Sequence, residues 1–214
     1  MRKKFLLAAV APILVPLAAQ AESHDAPNAN NPNAQAAARL DFRIEVPRVL
    51  FLQVGTGTRY VDNTTIDLID FQVPAASMGN GTAIAAASGG DVGNGTVTVR
   101  IMGNGASTIS LNSSVTPMLN GSGAGVGWDQ IAVAAAPLST GATNGFNNVA
   151  IAHPAFNPQN NGNGQAVNIA ATNGLVREEG QWTFTYLNQG VLSAGTYGGA
   201  NTQGGRVTYT ATMP

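Results

Sequence analysis

The residues able to do chemistry are few, so their types and spacing come first. The chain has two histidines and no cysteine. His24 stands among small and polar residues, and His153 precedes Pro154. Neither has a partner at metal-binding or catalytic spacing, so both read as solvated loop residues. No nucleophile-elbow pattern and no Ser-His-Asp set can be assembled, which removes the usual acyl-transfer chemistry. Asp62, Asp67 and Asp70 offer the oxygen ligands that Ca²⁺ takes. Asp67 and Asp70 lie three apart in a strand-like run, however, and would face opposite sides. The run Gly89-Gly-Asp-Val-Gly-Asn-Gly95 is loosely similar to a calcium-binding nonapeptide, but it occurs once and reads as a polar turn. Glu178 and Glu179 would point apart if extended, and read as a solvated turn. Trp182 fits a core pattern. Trp128, in the glycine-rich Gly125-Val-Gly127-Trp128-Asp129, is the one aromatic suited to surface recognition. The expectation is a protein that is not an enzyme and holds no cofactor or metal, with its function in its architecture.

Composition and the N-terminus narrow the class. Arg2, Lys3 and Lys4 precede the apolar run Phe5–Ala19, and Ala19-Gln20-Ala21 is a small-x-small cleavage site. Residues 1–21 therefore read as a secretory signal. The run is shorter than the ~20 apolar residues a membrane span needs and carries Pro12 and Pro16. Export to the periplasm, and from there to the cell surface or medium, is expected, with no membrane span once the signal is removed. What remains is about 190 residues, a usual size for one all-β domain. It keeps seven basic residues, all arginine, against eleven acids, a net charge of about −4. A basic footprint for nucleic acid is missing. An exported chain without disulfides relies on packing, hydrogen bonds or its neighbours.

The elements follow from period-two patterning. Residues 22–39 are rich in Asn, Pro and Ala and read as a disordered leader. Leu40, Phe42, Ile44 and Val46 alternate with Asp41, Arg43 and Glu45, so 40–46 predicts a strand with one apolar face. It reads either as the first strand of the domain, which would span 40–214, or as an exchangeable strand that completes a neighbour. Arg48–Val54 and Thr65–Val73 predict further strands, the latter with a bulge. Ala83–Ala87 reads as a short helical turn. Thr96–Met102 and Ser107–Leu111 flank Asn104-Gly105, a hairpin signal. Ile131–Ala135, Val149–Ala152 and Val167–Ala171 predict short strands, and Leu175–Gly180 a lead into the last ones. Asn-Gly recurs at Asn80, Asn94, Asn104, Asn120, Asn144, Asn161, Asn163 and Asn173 at irregular spacing, which favours a Greek-key sandwich over a solenoid.

The end of the chain is the most regular. Trp182, Phe184 and Tyr186 alternate with threonines, as do Val207, Tyr209 and Ala211. Between them Gly195-Thr-Tyr197 resembles the tyrosine corner of immunoglobulin-like sandwiches. The signal, the apolar strand Arg48–Val54, the Asn/Gly-rich middle and the closing Leu192-Ser-Ala-Gly195-Thr-Tyr197…Gly205-Arg-Val207-Thr-Tyr209-Thr-Ala-Thr resemble bacterial fimbrial subunits of the chaperone–usher type. They are most similar to common-pilus-type major subunits. The run Gly198–Gly204 and the long leader depart from that pattern. The resemblance implies an incomplete immunoglobulin-like Greek-key sandwich, filled first by a periplasmic chaperone at an outer-membrane usher and then by the next subunit of a homopolymer. Leu40, Phe42, Ile44 and Val46 would be the donated side chains, and Val207, Tyr209 and Ala211 the chaperone-docking edge. The competing expectation is a monomeric secreted sandwich that binds glycan or a surface through the glycine-rich loops near Trp128.

Overall fold

The computed structural model describes residues 23–25, 30, 35–199 and 204–214. The expected signal and most of the expected leader lie outside them. The chain divides into two units, Met1–Val46 and Pro47–Pro214. In the first, no residue of 40–46 belongs to a strand. Leu40, Phe42, Ile44 and Val46 are 71% to 88% exposed. A strand exists through its ladder, and none forms here among the described residues, so the alternating pattern stays unpaired. Arg43 and Glu45 share a face and form an exposed ion pair at 3.2 Å.

In the second unit the strands, in chain order, are β1 (Leu50–Val54), β2 (Ile84–Ala85), β3 (Thr96–Asn104), β4 (Thr108–Val115), β5 (Ile131–Ala136), β6 (Asn147–Asn148), β7 (Gly162–Asn163), β8 (Val167–Ala170), β9 (Leu175–Tyr186) and β10 (Val207–Thr212). They build an all-β sandwich. The first sheet is organised on β9, which pairs with β3 over nine residues from Thr96↔Thr183 to Asn104↔Leu175. β2 extends that same edge. β5 pairs antiparallel and β6 parallel on the other edge of β9. β1 closes the far side of β3. The second sheet is narrower: β4 pairs with β10 on one edge and with β8 and β7 on the other. Val97, Val99 and Ile101 of β3, Ile109 and Leu111 of β4, and Trp182 and Phe184 of β9 meet between the sheets as the core.

Several expectations change. Leu175–Gly180 is not a lead-in but the first half of β9, because its residues pair with β3 throughout. Thr65–Val73 forms no strand; only Asp70 makes a bridge, to Ser88, and Ile66 and Leu68 are exposed. Ala83–Ala87 holds β2 rather than a helical turn. The strand expected at Val149–Ala152 is displaced to β6, leaving Ile151 buried beside it. Asn104-Gly105 is not a hairpin, since β3 and β4 belong to different sheets. A type I′ turn needs positive φ at both central residues, and only Gly105 (φ 83°) has it. The Asn104 side chain is otherwise engaged: its oxygen accepts from the Val49 N–H at 2.6 Å, and its amide donates to the Pro47 carbonyl at 2.9 Å. Of the eight Asn-Gly pairs, only Asn94-Gly95 and Asn173-Gly174 take the paired positive-φ form.

The Tyr197 hydroxyl donates to the Ser193 carbonyl, four residues upstream, at 3.0 Å.

Candidate functional site

The seam between β1 and β10 is bounded by an edge strand of each sheet. β1 ends the first sheet and β10 ends the second, and the two strands come together on one side of the molecule. Neither has a second neighbour among the described residues. Val207, Tyr209 and Ala211 turn inward and are half-buried, while Thr208, Thr210 and Thr212 are exposed. The layers approach closely at Gly103: a Cβ there would lie 2.7 Å from Ile109 Cδ1, 3.2 Å from Met213 Sδ and 3.4 Å from Leu50 Cδ1. One end of the seam is tied by Arg48, whose guanidinium donates to the carbonyls of Met213 and Pro214.

Behind β10 lies an aromatic floor that sequence reasoning missed. His153 is not a solvated loop residue. Its Nε2 lies 2.7 Å from the Tyr209 hydroxyl. Its ring meets Phe156, Trp182, Tyr209 and Phe184 edge to face. Burial pushes its pKa down to about 4, and burial pushes the Tyr209 phenol up. The signal was the Ile151–His153 stretch itself, where an apolar alternation runs into the histidine. Trp128 is also misplaced by the sequence. It is 5% exposed, its Nε1 donates to the Thr116 carbonyl at 2.9 Å, and its ring leans on Phe156 at 5.0 Å. It fills the core and presents no surface platform. An apolar cleft of about 400 Å³ lies beside it, lined by Ile131, Val133, His153 and Phe156. Asp129 and Asn157 add polar groups to its lining.

On the outside of the first sheet, Glu179 is fully buried, not part of a solvated turn. Arg100, opposite it on β3, donates from Nε to Oε2 at 2.9 Å and from NH1 to Gln53 at 3.1 Å. The Thr143 N–H donates to Oε1. Burial works to raise the carboxyl, but the bonds from Thr143 and Arg100 outweigh it and hold the pKa below its ordinary value. Glu178, facing the other way, is raised by burial. The two carboxylates do point apart, as neighbours on a strand must. Arg100 and Glu179 were the missed pair; an Arg within Thr96–Met102 and a Glu just before Gln181 fall in register once β9 is read as one strand.

The remaining candidates stay separate. Asp67 accepts from the Thr56 N–H and hydroxyl, Asp70 from Gln72, and Asp91 from the Thr98 N–H at 2.7 Å. Among the described residues no three acidic or histidine side chains gather as a metal site would require, and His24 is exposed. No family model, curated protein or solved structure matches the chain.

Proposed function

We propose that the chain is the structural subunit of a bacterial surface filament, joined to the next copy by a donated strand. The observation that carries this reading is the unpaired outer edge of β10. In the lettering of an immunoglobulin-like sandwich, β1, β3, β9 and β5 follow the order A, B, E, D, and β10 and β4 supply F and C. The seventh strand, G, would lie against F, and no described residue takes that position. Crossings from β3 to β4 and from β9 to β10 fit the same scheme, as does the Tyr197 bond just before β10.

The donor is Leu40–Val46 of another copy. Its four apolar side chains alternate as a strand requires. They are exposed in the isolated chain. Burying each contributes ~1.5–3 kcal/mol before ordering costs, and the strand adds main-chain bonds along β10. An unfilled edge beside an apolar interior invites aggregation, so a periplasmic chaperone holds the position until an outer-membrane usher exchanges it.

The absence of native cysteine makes the test clean. Cysteines at Asp41 and Thr210 should form an intermolecular disulfide, because both would lie on the outward face of adjacent strands within reach of a bridge. The crosslinked material should run as a ladder, and electron microscopy should show filaments lost in Phe42→Asp. Crosslinking from Asp41→Cys to Ala134→Cys instead would move the donor to β5. Compact monomers with no crosslink at either position would remove the reading.

A further inference from the structure

Among the described residues β5 pairs with β9 alone, and Ile131, Val133 and Ala135 stand opposite Tyr186, Phe184 and Trp182. They share the inward face of the sheet with those aromatics. Even so, Ile131 and Val133 are only half-buried and Ala135 is exposed. The space they leave beside the segment of His153 and Phe156 is the cleft of about 400 Å³. That is within the ~300–1,000 Å³ usual for small-molecule sites.

One polar atom of its wall is unspent. The Asn157 amide is used on Gln159 and Asn161. The buried Tyr209 phenol has its bond to His153 Nε2, and a buried hydroxyl needs an acceptor for its proton. Nε2 is that acceptor, so the neutral ring carries its own proton on Nδ1, a tautomer fixed by the hydrogen-bond network. Burial keeps the ring neutral at ordinary pH. Nδ1 bonds to nothing among the described residues. It is not sealed from solvent either, since Asn112 Oδ1 is the only described side-chain atom both buried and unpartnered. The solvent space that His153 lines is the cleft.

We infer that this cleft binds a small uncharged molecule with a ring-sized apolar body and one hydrogen-bond acceptor, a ketone or ester carbonyl, held on Nδ1–H of His153. The walls set the body: Ile131, Val133 and Phe156 are apolar, and aromatic rings favour a ring against their faces and edges. The free N–H sets the acceptor, because a donor left unpaired in an apolar wall is costly and a carbonyl removes that cost. Charge sets the rest. Asp129 is the only charged residue in the lining, and the chain is net negative, so a carboxylate ligand is repelled where a neutral carbonyl is not. The cleft lies at the opposite end of the first sheet from β1, away from the seam with β10. The inference therefore stands apart from the filament reading.

Acetophenone is the probe, an aromatic body with one carbonyl and no charge. Titrated into the full purified chain, labelled in its methyl groups and histidine rings for NMR, it should shift the methyl signals of Ile131 and Val133. It should also move the His153 Nδ1 resonance. Benzoate, the same body with a charged acceptor, should bind more weakly. Val133→Trp fills the cleft from a half-exposed edge position and should abolish the Nδ1 shift, and Ala135→Phe should do the same from an exposed one. Methyl signals that do not move overturn the inference, as do methyl shifts with Nδ1 unmoved. Shifts that survive both variants, or benzoate binding as tightly as acetophenone, overturn it too. A Leu40–Val46 peptide that produces the same methyl shifts also overturns it, and makes the cleft the acceptor of the donated strand.

Discussion

On the outside of the first sheet, Arg100 and Glu179 lie side by side, closed over by the loop that carries Thr143. On the outside of the second, Thr208, Thr210 and Thr212 stand in solvent. Both faces began as the polar half of an alternating pattern. The difference comes from the connections. The chain returns over the first sheet after β1 and again after β5. Tyr60 packs on Phe51 at 5.2 Å and near Phe146 at 6.4 Å, and Arg59 donates to the Asn144 carbonyl. A carboxylate caught beneath such loops must be paired and hydrogen-bonded, since a lone buried charge is costly. Among the described residues the second sheet has no such return over β10, and Thr208, Thr210 and Thr212 stay exposed. One face is therefore committed to holding the fold, and the other is left free to meet something else.

The largest effect should come from breaking the committed face. Glu179→Ala leaves the largely covered Arg100 without its carboxylate, though still bonded to Gln53, and should cost about 3 kcal/mol, the low end of the penalty for unpairing a buried charge. Denaturant unfolding measures it. Thr210→Ala on the other face should stay within about 0.5 kcal/mol. Equal losses at the two positions would break the comparison. Replacing both partners, as Arg100→Met with Glu179→Leu, should cost less than Glu179→Ala alone, because no orphan charge remains.

Acid should next separate the buried groups. His153 binds its proton in the fold only at about pH 4, against an ordinary value near 6.5. Between those values the unfolded chain binds more protons, so stability is fully present above the unfolded value and falls as pH drops through the window. The loss amounts to up to about 3 kcal/mol by linkage. Glu179 behaves differently: its folded pKa is held low, so its contribution persists through that window and is lost only below the ordinary carboxylate range. Melting followed from pH 7 to pH 4 should thus slope downward in wild type and flatten in His153→Gln. An unchanged slope in the variant would mean that His153 is not buried as a neutral ring.

How much of this was visible in the sequence depends on the range of the interaction that fixes each residue. Trp182, Phe184 and Tyr186 were legible because strand alternation is local. So was Tyr197, whose partner is four residues away. Glu179 was not, since its burial depends on Arg100 and Thr143, 79 and 36 residues distant. Asn104-Gly105 failed for the same reason. The dipeptide permits a tight hairpin, but Asn104 spends its side chain on Pro47 and Val49, and β4 leaves for the other sheet. Trp128 was read from its glycine neighbours, which say nothing about Phe156 or the Thr116 carbonyl that hold it inside. The alternation at 40–46 was plain, and the filament reading turns on what it pairs with.

The smallest prediction concerns Glu178, one residue from Glu179 on the same strand and opposite Ile101 on the inward side. Burial raises its pKa, and no ion pair offsets that among the described residues. The folded state therefore disfavours its charge at neutral pH, while the unfolded chain carries that charge freely. Glu178→Gln keeps the shape and removes the charge, so it should raise stability at pH 7 by less than the His153 effect. The gain should shrink on acidification, because the wild-type carboxyl then takes up its proton in the fold and becomes equivalent to the amide. Thermal melts of the two proteins at pH 7 and pH 5 measure it. Glu178 and Glu179 thus make the sharpest internal control for the contrast between the faces. The same residue type, on adjacent positions of one strand, should give opposite signs on neutralisation, because only the outward one has Arg100. A loss of stability in Glu178→Gln would mean that the inward carboxylate has found a partner of its own.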